Sequence, residues 1–208
     1  MTSIGDIMRT SPVIPVLVID RVEDAGPLAK ALCAGGLKVL EVTLRTPAAL
    51  AAITAMCEAA PDAIVGAGTV LNGADLDKAV AAGAKFIVSP GFTETLGRAA
   101  EQVRVPLLPG VATATDIMRG LDAGLTHFKF FPAETSGGVP ALKAFGGPFG
   151  QCLFCPTGGI GEDNAAEYLK LPQVLCVGGS WPAPKAAVTM GDWDRITELA
   201  RGASRLKG

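Results

Sequence analysis

Short runs of Val, Ile, Leu and Phe alternate along the whole chain with longer alanine-rich stretches at helical spacing, and this alternation limits the fold more than any other feature. Strand candidates fall at residues 13–20, 39–45, 64–70, 86–90, 106–111, 127–132, 154–159 and 174–180. Their starts lie roughly 20–27 residues apart, the length of one strand plus one crossover helix. Helices are expected over 24–34, stopping at Gly35-Gly36, and over 47–60, opening on Pro47 and stopping before Pro61. Two more are expected over 75–82, ending at Gly83, and over 115–123, preceded by Thr113 and ending at Gly124. An Ala-Gly phrase leading into Ala or Leu recurs at 34–37, 82–84 and 123–125, which marks equivalent helix-to-strand junctions.

Eight such units in 208 residues, with no linker or low-complexity tract between them, point to an α/β fold. The expectation is one (β/α)8 TIM barrel filling residues 1–208, at the short end for that architecture. Residues 5–10 should add a short helix that closes the barrel base. The chain is 49% hydrophobic but only 5% aromatic, with 26 glycines, which suits small helix faces packed closely on an aliphatic sheet. A doubly wound open sheet is the competing arrangement. Its dinucleotide signature, G-x-G-x-x-G, breaks at the third glycine in residues 66–71, and no G-x-x-x-x-G-K-[ST] occurs, so no cofactor is expected.

A net charge of −2 offers no basic footprint for nucleic acid or an acidic membrane surface. No apolar run approaches the roughly 18–20 residues that span a bilayer. The first residues lack a basic stretch followed by an apolar one, so a cytoplasmic location is expected. Cys33, Cys57, Cys152, Cys155 and Cys176 do not make a disulfide framework in a chain of this size. Cys152 and Cys155 form a lone C-x-x-C within a strand, where an offset of three sends the side chains to opposite faces; they read as structural thiols. His127 is the one histidine, so no imidazole set is available for zinc, and it reads as a packed, hydrogen-bonded residue with no metal site expected.

In a parallel barrel the chemistry sits at the C-terminal strand ends. Lys129 lies in the run His127-Phe128-Lys129-Phe130-Phe131-Pro132, enclosed by aromatic residues. Burial there strips hydration from an ammonium and favours a neutral amine able to attack a carbonyl, which makes Lys129 a Schiff-base candidate. Glu41, Thr43 and Arg45 share one face of the second strand by period-two geometry. Thr69 and Pro90 close the third and fourth strands. Thr157-Gly158-Gly159 and Gly178-Gly179-Ser180 end the seventh and eighth, where many barrels hold a phosphate on backbone N–H groups. No Lys or Arg stands next to either turn, so an anion would rest on amides and dipoles.

The runs GLKVLEVTLRT (36–46), VGAGTVLN (65–72), FIVSPGF (86–92), PLLPGV (106–111), FKFFPAE (128–134), FCPTGGI (154–160) and CVGGS (176–180) follow one another at these strand ends. Together they resemble the 2-keto-3-deoxy-6-phosphogluconate (KDPG) aldolases, a class I family also active as 4-hydroxy-2-oxoglutarate (KHG) aldolase. The resemblance implies cleavage of a phosphorylated 2-keto-3-deoxy sugar acid to pyruvate and an aldehyde, in a homotrimer. It implies Lys129 as the imine lysine, Glu41 as general acid/base, and Arg45 with Thr69 as holders of the pyruvyl carboxylate. Pro90 and Phe131 would shape the pocket around the imine, and Thr157, Gly158, Gly159, Gly179 and Ser180 would face the distal phosphate. Two positions depart from the pattern. Residues 13–20 carry no basic residue at their centre, where some relatives place one, and Trp181-Pro182-Ala183-Pro184 stiffens the stretch after Ser180. A non-catalytic sugar-acid phosphate binder, or a pyruvate aldolase for an unphosphorylated substrate, are the alternatives. A pure binder has use for Arg45 and the glycine turns but none for Lys129 with Glu41.

Overall fold

The structure, a computed structural model, describes residues 2–206; positions 1, 207 and 208 of the expected 1–208 domain lie outside them. The strands are β1 (Val13–Leu17), β2 (Val39–Thr43), β3 (Ile64–Gly68), β4 (Ile87–Val88), β5 (Leu107–Leu108), β6 (Gly110–Val111), β7 (His127–Phe130), β8 (Leu153–Pro156) and β9 (Val177–Gly179). They pair in parallel in the orders β5-β4-β3-β2-β1-β9 and β6-β7-β8. Bridges from Phe154 to Val174 and from Thr157 to Gly178 join the two arcs. The result is a (β/α)8 barrel. Its strands are shorter than the expected segments but fall in the same places. The fifth expected strand, 106–111, is cut in two at Pro109, which has no N–H to give the ladder although its carbonyl still accepts from the Lys129 N–H at 2.9 Å.

The helices are α1 (Ile4–Arg9), α2 (Val22–Ala34), α3 (Ala49–Ala59), α4 (Gly73–Ala81), α5 (Glu94–Val103), α6 (Ala114–Asp122), α7 (Gly138–Gly146), α8 (Ala165–Leu169), α9 (Lys185–Met190) and α10 (Trp193–Ser204). A 3₁₀ turn occupies Glu134–Ser136. Local chemistry sets their ends. Thr113 caps α6 in a reciprocal box with Asp116, and Asn72 and Thr93 cap α4 and α5 through their side-chain oxygens. The three Ala-Gly junctions are indeed equivalent. Gly36, Gly83 and Gly124 are all left-handed, with φ of 97°, 100° and 75°. In each the following residue donates back into the helix: Leu37 to Leu32, Ala84 to Ala79 and Leu125 to Gly120. A fourth junction has the same form without glycine. Arg104 takes φ 56° and Val105 donates to Ala100 at 3.1 Å, so an ordinary residue bears a conformation that costs about 1–2 kcal/mol.

Strand alternation divides the interior into two cores. Outward-facing Leu17, Leu40, Val42, Val65, Ala67, Phe128 and Phe130 pack against the helices. Inside the barrel, Ile14, Val39, Phe86, Val88, Leu108, Cys155 and Cys176 form a lower layer. α1 plugs this layer from below with Ile7 and Met8, both essentially inaccessible, as expected of a helix at residues 5–10. Burying each such side chain is worth about 1.5–3 kcal/mol. Cys152, just before β8, belongs to the outer core and Cys155, within it, to the inner one, so their side chains point opposite ways, and both are free thiols.

Candidate active site

Phe128 and Phe130 point outward from β7, so Lys129 between them points into the barrel, directly above the apolar lower layer. It is 5% exposed, and its Nζ lies 3.2 Å from Oε1 of Glu41, which is 3% exposed on β2. The same Nζ lies 5.2 Å from the centre of the Phe131 ring. Taking both charges out of water costs several kcal/mol each, and only their mutual attraction and hydrogen bond offset it. The Glu41 carboxylate needs room from its neighbour strand. A Cβ at Gly68 on β3 would stand within 2.8 Å of Glu41 Cγ and Cδ and closer still to Oε1. Hydrogen bonding to Cys155, burial and the charge of Glu41 all push the Cys176 thiol well above its usual range, which keeps Cys176 neutral in the floor of the pocket.

Arg45 lies in the turn beyond β2 rather than in the strand itself, and it is exposed. It still reaches Thr69, donating from Nε to Oγ1 at 3.2 Å. Thr69 is held with φ 59°, a left-handed conformation rare for a β-branched residue and of the kind found where backbone strain serves a site. Thr43, on the same strand face as Glu41, instead donates to the Leu17 carbonyl at 2.9 Å and ties β2 to β1. Pro90 lies two residues beyond β4, and its carbonyl occupies the space a side chain at Gly110 would need. The Phe131 ring neighbours both Lys129 and Gly158, and the Phe131–Pro132 peptide is cis.

At the far side of the mouth, Thr157 is buried, and Gly158 and Gly159 turn away from β8 with φ of 100° and 78°. The space beside Gly179 is taken by the Trp181 ring. Ser180 is exposed and lines a cavity of about 540 Å³ together with Val16, Val18, Arg21 and Lys185. Lys185 also pairs with Asp20 at 2.8 Å. The expectation that no cation stands by these turns therefore holds along the chain but not in space. Pro182-Ala183-Pro184 folds the start of α9 back so that Lys185 shares the cavity with Ser180. The Pro-rich stretch was the available signal for that reversal. A larger cavity, about 790 Å³, lies between α5 and α6, away from Lys129 and Glu41.

His127 is at the start of β7, against Gly5 and Arg9 of α1, two residues from Lys129 but at the opposite end of the strand. One ring nitrogen meets Thr126 Oγ1 at 3.1 Å, while the buried Nε2 has no partner among the described residues, so there the ring is packed but only half hydrogen-bonded. Among the described residues no three His, Cys, Asp or Glu side chains gather as a metal-binding group, and no helix is long and apolar enough to cross a membrane.

The family model for KDPG and KHG aldolases matches residues 4–199. The chain belongs to this aldolase family. The 2-dehydro-3-deoxy-phosphogluconate aldolase of Pseudoalteromonas atlantica is 59% identical over 198 residues, covering 95% of this chain and 92% of its own length. The KDPG aldolase of Legionella pneumophila, solved with pyruvate captured at low pH as a covalent carbinolamine intermediate, has a TM-score of 0.94 at 52% identity over 96% of this chain and 97% of that one. The Zymomonas mobilis enzyme, solved with 3-phosphoglycerate, has a TM-score of 0.94 at 55% identity over 100% of this chain and 98% of its own.

Proposed function

We propose that this chain is a class I aldolase that reversibly cleaves KDPG to pyruvate and glyceraldehyde 3-phosphate through an imine on Lys129. KHG, cleaved to pyruvate and glyoxylate, is the second substrate. The observation that carries the reading is the buried Lys129–Glu41 contact of 3.2 Å at the mouth of the barrel. Neutral Lys129 adds to the C2 ketone, and loss of water from the carbinolamine gives an iminium. Glu41 takes the C4 hydroxyl proton as the C3–C4 bond breaks, and the bonding pair passes into the iminium to leave an enamine. Protonation at C3 and hydrolysis release pyruvate and regenerate the lysine. Arg45 and Thr69 hold the substrate carboxylate, which fixes the imine plane relative to the bond that breaks. Phe131 and Pro90 exclude water around the imine. Thr157, Gly158, Gly159, Gly179 and Ser180 take the distal phosphate, with Lys185 adding charge at the rim.

No cofactor enters this scheme. Residues 1–208 act as one domain, the assembly is a homotrimer and the location is cytoplasmic; the family resemblance supports each, and sedimentation velocity tests the assembly. The deciding experiment is incubation with pyruvate and sodium borohydride, followed by peptide mass spectrometry. A reduced pyruvyl adduct is expected on Lys129. An adduct on Lys143 or Lys85 would keep the imine class but move the site, and no adduct on the folded protein would end the aldolase reading in favour of a binding barrel.

A further inference from the structure

The turn after β8 is held from behind at every carbonyl. The Thr157 carbonyl accepts from the Ala133 N–H at 2.8 Å, the Gly158 carbonyl from the Glu134 N–H at 3.1 Å, and the Gly159 carbonyl from Asn164 Nδ2 at 3.0 Å. The amides on either side are also spoken for. The Thr157 N–H serves the strand ladder through Phe130, and the Gly161 N–H donates to Asn164 Oδ1 at 2.9 Å. Between them the N–H groups of Gly158, Gly159 and Ile160 donate to no protein acceptor among the described residues. With left-handed φ at both glycines, three successive free amides make a concavity of the kind that binds anions.

Behind this concavity stands a carboxylate, which is an unfavourable neighbour for a phosphate. The stem of Glu134 fills the space beside Gly159, so the turn rests on it. The Glu134 carboxylate is drawn away by the hydroxyl of Tyr168, which donates to Oε1 from α8. Tyr168 is 1% exposed and its hydroxyl also abuts Gly138 at the start of α7, so the phenol has little freedom to swing. One pair thus ties α8 to the segment after the Lys129 strand, with the turn clamped between them.

We infer that Glu134, Tyr168 and Asn164 are positioning residues that set affinity for the phosphate end of the substrate: Asn164 holds the Gly159 carbonyl, and Tyr168 keeps the Glu134 charge off the anion. None of the three touches the reacting carbons. The inference rests on the reading that this turn takes the distal phosphate. KHG supplies the internal comparison, because its chain ends one carbon beyond C4 and does not extend to a phosphate.

The test is steady-state kinetics of Tyr168→Phe, Asn164→Asp, Glu134→Ala and Glu134→Gln on both KDPG and KHG, with thermal melts alongside. Tyr168→Phe, Asn164→Asp and Glu134→Ala are expected to raise KM for KDPG about tenfold while kcat/KM for KHG stays within about twofold. Glu134→Gln retains the stem and an oxygen acceptor for Tyr168, and should keep near wild-type KM. Equal losses on both substrates would overturn the inference by showing a merely structural role. If the wild type prefers KDPG and the variants keep that preference undiminished, the positioning role falls while the phosphate reading stands. If the wild type itself shows no preference for KDPG over KHG, both fall.

Discussion

Gly68→Ala removes none of the proposed reacting groups and should still disable the enzyme. The added methyl would lie 2.8 Å from Cγ and Cδ of Glu41 and nearer still to Oε1, where an ordinary carbon–oxygen contact needs about 3.4 Å. Gly68 belongs to β3 and is paired in register with Thr43 of β2, so its backbone has little freedom to retreat. The carboxylate must move instead, by about 1 Å or more, and the Lys129–Glu41 contact of 3.2 Å opens beyond hydrogen-bond reach. Displacement of that size at a reacting group costs about 10²-fold. We therefore expect kcat for pyruvate release, followed through lactate dehydrogenase, to fall about 10²-fold, with about 1–3 kcal/mol of stability lost to overpacking. Gly66→Ala is the control. It lies on the same strand but its methyl would strike the Phe86 ring in the lower layer, so it should lose comparable stability and keep kcat within a few-fold. A folded Gly68→Ala enzyme with wild-type kcat would refute the argument that Glu41 must stand where it does.

Glu41→Gln keeps the volume and removes the base; it should slow cleavage by about 10²–10⁴-fold, and full activity would remove Glu41 from the mechanism. Arg104→Gly relieves the left-handed non-glycine junction at φ 56°, and urea denaturation should show a gain of about 1 kcal/mol after the added flexibility of the unfolded chain is offset. An unchanged midpoint would mean the junction is not strained. Burial, with the charge of Arg9, lowers the His127 pKa below 6.5 despite a smaller opposing effect of Asp6. Below that pH the unfolded chain takes up a proton that the native state resists, so stability is fullest above about 6.5 and declines as pH falls. His127→Gln should lose less stability than the wild type between pH 7.5 and 5, measured by urea titration; parallel losses would contradict the assignment.

How far the sequence foretells this arrangement depends on the range of the interaction that sets it. The strand positions, the α1 plug and the three glycine junctions rest on neighbours within one turn or one pleat, and each is legible. Lys129 and Glu41 are legible for the same reason: period-two alternation around Phe128 and Phe130, and around Leu40 and Val42, leaves both side chains only the interior. Arg45 shows where alternation stops, since its segment has already left the strand and its contact with Thr69 spans two units. Arg104 carries no signal at all, because nothing in Val103-Arg104-Val105 announces a left-handed residue. The break at Pro109 was readable from the missing N–H, but only once the strand was known to need two partners.

The distal end of the site belongs to the other class. Lys185 reaches the Ser180 cavity through a proline-shaped reversal, and Glu134 meets Tyr168 across 34 residues of chain. Neither is a periodic feature, so the turn can be named from its glycines while its orientation cannot. The two ends are nevertheless not independent. The centre of the Phe131 ring lies 5.2 Å from Lys129 Nζ, and a Cβ at Gly158 would stand 3.3 Å from the same ring. On the proposed reading, with the imine at Lys129 and the phosphate at the glycine turn, this one ring borders both ends of the substrate. In that reading a substrate that reaches the turn has phosphate contacts to orient it in addition to Arg45 and Thr69, and a shorter one does not, so remote binding energy is available to the longer substrate alone.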